Sequence, residues 1–190
     1  MMYLMGMKKE DIFDWLTTAF SEPLHSLTES FYYDKRDREF YSLHFADYLL
    51  INEDLTINES VESSYNDSLA RVIVDRIVRQ EKGDSDIIPV PRLEVAERKR
   101  IMEAFSQRIN DERLLSIVQQ RIKNQDGSQR FDFYFGDEAW EDLKQQWIDL
   151  KYVSIAGPIG DFLNAHGIDL DQCTIMDAGG DFSITVSLED

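Results

Sequence analysis

Apolar residues recur at helical spacing near the start of the chain. Ile12, Trp15, Leu16, Ala19 and Phe20 fall three or four positions apart between Glu10 and Phe20, which places them on one stripe of an amphipathic helix. Ser21-Glu22-Pro23 closes it. From Glu29 the pattern changes: Phe31-Tyr32-Tyr33 and Phe40 to Phe45 flank the charged turn Asp34-Lys35-Arg36-Asp37-Arg38. That predicts a β-hairpin with Tyr41, Leu43 and Phe45 on one face and Ser42 and His44 on the other. Leu49 to Ile57 predicts a short strand broken at Asn52-Glu53-Asp54. Between Arg38 and Arg71 there is no Lys or Arg, while Glu39, Asp47, Glu53, Asp54, Glu59, Glu62 and Asp67 accumulate. This acidic stretch reads as a solvated loop or connecting segment, with a docking site for a basic partner as the sharper alternative. Leu69, Val72, Ile73 and Ile77 predict a second amphipathic helix ending near Lys82-Gly83-Asp84.

Ile87-Ile88-Pro89-Val90-Pro91 predicts an extended segment, because residues before proline are driven from helical geometry; Pro89, lacking an amide donor, belongs at a sheet edge. Val95 to Ile109 and Glu112 to Lys123 read as helices, with Asn110-Asp111 as the cap of the second. Asn124 to Gln129 is a loop, and Arg130 to Phe135 is helical or irregular. Gly136-Asp137 opens a helix carrying Trp140, Leu143, Trp147 and Leu150, capped by Asp137, and Gly157-Pro158 starts another that ends at Gly167. Thr174 to Met176 and Phe182 to Leu188 flank Asp177 to Asp181, predicting a second hairpin with Phe182, Ile184, Val186 and Leu188 on its inner face. The expected fold class is α+β, mainly helical with an N-terminal β-hairpin and a C-terminal β-hairpin. The expected organisation is a single α+β domain over 1–190, with 171–190 as a C-terminal hairpin appendage.

Composition supports a folded chain: 43% of the 190 residues are apolar, and 3 Trp, 8 Tyr and 11 Phe supply core. No apolar run reaches the roughly 18 residues a bilayer span needs. Met1 to Met7 is apolar but leads straight into Lys8-Lys9 without the long apolar stretch of an export signal. With one cysteine, Cys173, no internal disulfide can form, and the expected compartment is the cytoplasm. The net charge of −17 is uneven, with −9 over residues 1–70, +3 over 71–130 and −11 over 131–190. Both ends would repel phosphates, which disfavours direct nucleic-acid binding. Arg98-Lys99-Arg100 is the densest basic run, but Glu94, Glu97 and Glu103 surround it and a solvated helix face is expected.

A set of residues in order carries a family resemblance: Ile87-Ile88-Pro89, Arg92-Leu93-Glu94, Arg100 to Phe105, Asp111 to Leu114, Arg130-Phe131, Trp147, Phe162-Leu163-Asn164 and Gly167-Ile168. Over roughly residues 85 to 170 the chain resembles a bacterial family of uncharacterised proteins, and Tyr32-Tyr33-Asp34 matches an early hairpin of that family. It departs from the family in keeping only Gly127 of a glycine-rich turn before the Arg-Phe pair, and the hairpin after Cys173 has no counterpart there. The resemblance implies a small intracellular bacterial protein and no particular chemistry.

Candidate chemistry is sparse. A thiol nucleophile would join Cys173 to His25, His44 or His166, yet no local signature links them, and a buried inert thiol is expected. His166, Asp169 and Asp171 form a candidate metal set suited to zinc or manganese, but the spacing is not specific and the turn after Gly167 is the favoured account of the aspartates. Asp177 to Asp181 lacks the oxygen-ligand spacing of an EF-hand. Gly157-Pro158-Ile159-Gly160 would be a phosphate cradle only at a helix start, and it has no Walker lysine. Glu138, Glu141 and Asp142 reflect general acidity rather than paired catalytic carboxylates. Phe131, Phe133, Phe135, Trp140 and Trp147 read as core, with an interaction surface as the alternative. The leading reading is a non-enzymatic protein-binding or regulatory module whose partner is a protein with a basic surface, with no cofactor and no assigned catalytic residue. The alternatives are a metal-dependent hydrolase using His166 and nearby carboxylates, and an acidic nucleic-acid mimic.

Overall fold

The computed structural model describes residues 9–24, 29–59, 61–63, 67–133, 135, 140–176 and 184–186. The protein is α+β and mainly helical, with strands near both ends. Its described residues group into two compact units, one drawn from Leu27–Val90 and Leu170–Asp190, the other from Lys8–Ser26 and Pro91–Asp169.

In the first unit, β1 (Glu29–Asp34) and β2 (Glu39–His44) form the expected hairpin, with Tyr33 opposite Phe40 and Asp34 opposite Glu39. Strand β3 is Val61–Ser63, β4 is Ile87–Pro89, β5 is Thr174–Ile175 and β6 is Ile184–Val186. The larger sheet runs β4-β1-β2-β5, so Pro89 lies on an edge strand, where its missing amide leaves no ladder bond unmade. β5 lies parallel to β2, whereas β6 lies antiparallel to β3. The two C-terminal strands therefore pair with earlier strands rather than with each other, each completing an edge already laid down; Asp177 to Asp181, Phe182 and Leu188 lie outside the described residues.

The strand expected over Leu49 to Ile57 is instead a 3-10 helix, Phe45–Leu50, followed by an isolated bridge between Ile51 and Ile57. The cause is local: the Asp47 carboxylate accepts the His44 backbone N–H at 2.7 Å and turns the chain out of the strand. Phe45 thus leaves the face of Tyr41 and Leu43 and becomes 68% exposed. Helix α2 (Asp67–Glu81) packs Ile73, Val74 and Ile77 into a core with Tyr41, Leu43, Leu50 and Ile87.

The second unit is helical. It contains α1 (Lys9–Ser21), α3 (Val95–Ser106), α4 (Glu112–Asn124) and α5 (Glu141–His166). Asp111 caps α4 as expected, its carboxylate accepting the Leu114 N–H at 2.8 Å. The loop after α4 turns at Gly127, where φ is +91° and an added Cβ would lie 2.6 Å from a Leu24 methyl. α5 corrects the reading of two helices: it is one helix of 26 residues with Pro158 inside it. The buried stripe Trp147, Ile155, Ile159 and Phe162 continues past the proline, so packing outweighs the one backbone hydrogen bond that Pro158 removes. Gly167, at φ +65°, ends the helix, and the Ile168 N–H returns to the Leu163 carbonyl at 2.9 Å. The expected N-cap, Asp137, lies outside the described residues.

Arg98 overturns the expectation of a solvated basic run. It shares the inward stripe of α3 with Ile101, Met102 and Phe105, and its side chain is fully buried. Its guanidinium donates to the carbonyls of Leu93 at 2.6 Å, Ser21 at 3.3 Å, Gln129 at 3.4 Å and Phe20 at 3.5 Å, and to that of Glu22. Three of these carbonyls end α1, a helix with no basic residue in its own last turn. Arg98 therefore supplies the missing donors and the positive charge that a helix C-terminus favours. Burial pushes its pKa down to about 10, with Arg92 adding to the fall, and the group still stays charged at neutral pH. Of its neighbours, Arg100 is exposed and pairs with Glu97 at 2.6 Å.

Two substitutions test these assignments. Arg98→Met should lower stability by about 3 kcal/mol, read as a fall in the urea midpoint, because several buried carbonyls lose their donor; a solvated arginine would change it by no more than about 0.5 kcal/mol. Pro158→Ala should raise stability by about 1 to 3 kcal/mol by restoring a mid-helix donor. A helix that began at Pro158 would gain nothing from the change.

Candidate functional site

The first unit concentrates buried charge at the turn end of the β1–β2 hairpin. Asp34 is fully buried and accepts from both terminal nitrogens of Arg79, at 2.5 and 3.0 Å, and from the Arg36 backbone N–H at 3.0 Å. Burial alone would raise the Asp34 carboxyl, but the Arg79 and Arg36 hydrogen bonds outweigh it and hold the group below the usual carboxylate range. Arg79 also binds Asp84 at 2.8 Å, and Arg36 bridges Asp84 and Asp86 at 2.7 and 2.9 Å. Beside them Arg76, likewise buried, reaches Glu39 at 2.6 Å and the Met176 sulfur at 3.0 Å, with its guanidinium 4.3 Å from the Tyr41 ring centre. Every cation here faces a carboxylate, so the cluster is a closed ion network that fastens the hairpin to α2 and to the turn after it.

The residues nominated from sequence are dispersed. Cys173 is buried, with its sulfur 3.8 Å from the Tyr33 hydroxyl. His44 instead faces Glu29 at 3.9 Å, and His25 lies outside the described residues. His166 packs against Phe162 with ring centres 5.1 Å apart and planes tilted by 59°. His166, Asp169 and Asp171 are all exposed, and among the described residues no three His, Cys, Asp or Glu side chains gather as a metal-holding group. Gly157 to Gly160 lie inside α5, so their amides are spent within the helix and cannot cradle phosphate. Glu141 and Asp142 occupy the first turn of α5, where carboxylates favour the helix N-terminus.

Of the aromatic group, Phe131, Trp140 and Trp147 are buried in the second unit, and Phe133 and Phe135 are half-buried against Phe105. Trp147 meets Phe133, Phe105 and Phe131 at ring-centre distances of 4.6, 5.2 and 5.4 Å, and its indole N–H donates to Asp132 at 2.6 Å. Asp132 in turn accepts from Lys151 at 3.0 Å.

The first unit's surface looks different along residues 45–59. Phe45, Ile57 and Leu49 are 68%, 54% and 40% exposed, within the stretch from Glu39 to Ala70 that holds no Lys or Arg. Glu53, Asp54 and Glu59 are exposed among them. The loop that carries Ile57 is tied: the Asn52 N–H reaches the Thr56 carbonyl at 2.8 Å, and the Asn52 amide donates to the Thr56 hydroxyl and the Ile57 carbonyl. Asp54 accepts from the Thr56 hydroxyl at 2.6 Å and the Thr56 N–H at 3.0 Å, bonds that lower its carboxyl pKa. Residue spacing did not reveal that Phe45 would stand out of this segment, because that follows from the chain turning at Asp47.

No family model, curated protein or solved structure matches this chain.

Asp34→Asn should cost about 3 to 5 kcal/mol by leaving Arg79 and Arg76 buried without their common carboxylate. Because the Asp34 pKa is depressed on folding, its stabilisation is complete above the ordinary aspartate pKa and is lost as pH falls below it. Denaturant midpoints measured between about pH 6 and pH 3 should fall less steeply in Asp34→Asn than in the unmodified protein.

Proposed function

We infer that this protein is a non-enzymatic docking or regulatory module of the bacterial cytoplasm, and that it binds a protein with a basic face through residues 45–59. The observation that carries the reading is the exposure of Phe45, Leu49 and Ile57 inside a segment free of Lys and Arg. Apolar side chains that project from a charged surface supply the anchors that dominate interface energetics, while the surrounding carboxylates speed encounter with a basic partner and reject an acidic one. The hydrogen-bonded loop from Asn52 to Ile57 supports the same reading, since a loop ordered before binding loses less entropy on association. The net charge of −17 adds long-range attraction of the same sign.

The test is capture from a lysate of the source cells on immobilised protein, at about 50 mM and about 300 mM salt, with Phe45→Ser/Ile57→Ser alongside. A basic protein should be retained at low salt, released at high salt, and held at least about tenfold less by the variant, which should unfold at an unchanged midpoint. Retention of the same protein undiminished by the variant, or retention of none at either salt, overturns the proposal.

A further inference from the structure

The second unit carries a separate cleft between the last turn of α1, the segment Arg130 to Asp132 and the middle of α5, with a volume of about 160 Å³. That is on the order of ten times what a single water needs, enough for a ligand of a few heavy atoms. Its two sides differ in chemistry. On the α1 side, Thr17, Thr18 and Ser21 direct their hydroxyl protons to carbonyls of their own helix, at 3.0, 3.2 and 2.6 Å. Their oxygens therefore offer lone pairs to anything bound. The Glu22 side chain stands beside them, only 12% exposed, and its nearest cation is Arg130 at 3.6 Å, beyond hydrogen-bonding distance. A carboxylate so withdrawn from water is stabilised by a donor at close range. The opposite side supplies cations: Arg130 is 78% exposed, and Lys151 uses one donor on Asp132 and has further donors to offer.

We propose that this cleft binds a small zwitterion of the α-amino acid class, its ammonium on Glu22 and the Ser21 hydroxyl and its carboxylate on Arg130 and Lys151. Glu22 faces Arg130 and Asp132 faces Lys151, so the cleft is charge-balanced and a zwitterion keeps it so. A simple anion would add an unbalanced negative charge to a cleft whose two carboxylates and two cations already pair. The limited volume selects a small side chain, and the exposure of Arg130 allows entry without movement of the helices. The site is independent of the docking surface in the first unit.

The structure also provides a reporter. The Trp147 indole N–H is bonded to Asp132, whose other oxygen holds Lys151, so a ligand carboxylate on Lys151 must alter that indole signal. Titration of the ¹⁵N-labelled full chain with alanine, serine and glycine, followed by nuclear magnetic resonance, should shift one of the three tryptophan indole signals saturably below about 10 mM. Propionate and ethylamine, each with one of the two charges, should bind at least about tenfold more weakly. Glu22→Gln should abolish the shift. Arg130→Gln, altered at an exposed side chain, should weaken binding at least about fivefold with the apo spectrum unchanged. Absence of a saturable shift with any of the twenty amino acids, an equal shift with propionate alone, or full binding by Arg130→Gln overturns the proposal.

Discussion

A guanidinium removed from water must find acceptors for its five N–H donors, and in the second unit Arg98 finds them almost wholly in backbone carbonyls. The constraint acts in both directions. The end of α1, the segment before α3 and the strip at Gln129 can each leave water only because one charged side chain serves them all, and that side chain can be buried only while they converge. The Leu93 N–H reinforces the arrangement on the Phe20 carbonyl at 2.9 Å, and the Phe131 N–H on the Ser21 carbonyl at 3.4 Å. The cleft inherits its geometry from this junction. Glu22 offers its backbone oxygen to Arg98, which fixes the residue whose carboxylate lines one wall, while Asp132 follows directly on the strip that Phe131 pins down.

The first unit buries charge by the opposite means. Asp34 and Arg76 are both buried, and each is answered by side chains of the other sign. Such pairs add little net stability over apolar packing but penalise a mispaired register, because a slipped hairpin would strand a charge. This network also neutralises the carboxylates nearest the hairpin turn. What is left to face solvent is the excess further along, in the segment without Lys or Arg, where it borders the exposed apolar side chains.

Much of the architecture was legible in periodicity. The first hairpin, the helices at Asp67–Glu81, Val95–Ser106 and Glu112–Asn124, the edge position of Pro89 and the cap at Asp111 follow from local spacing and backbone chemistry. The strand expected over Leu49 to Ile57 failed for a local reason, the Asp47 carboxylate on the His44 N–H; in the other misses tertiary contacts outweighed a local rule. Pro158 looks like a helix start until the buried stripe from Trp147 to Phe162 is seen to run through it. Arg98 reads as a surface residue by type, although its spacing of three and four to Ile101 and Met102 already placed it on the inner stripe of α3. The two C-terminal strands had a hairpin's pattern, and the partners they take, β2 and β3, lie far away in the chain. The cleft had no signal at all, since Glu22, Arg130 and Lys151 share neither motif nor element.

The separation in sequence between the α1 carbonyls and the arginine that completes them bears on how the protein is made. Hydrogen bonds from Arg98 to Phe20, Ser21 and Glu22 span 78, 77 and 76 residues. At a translation rate of roughly 5 to 20 residues per second, α1 leaves the ribosome about 4 to 15 seconds before its terminal acceptors can be met. The α5 surface on which α1 packs, Tyr152 against Phe13 included, is made later still, so the apolar stripe of α1 stays uncovered throughout that interval.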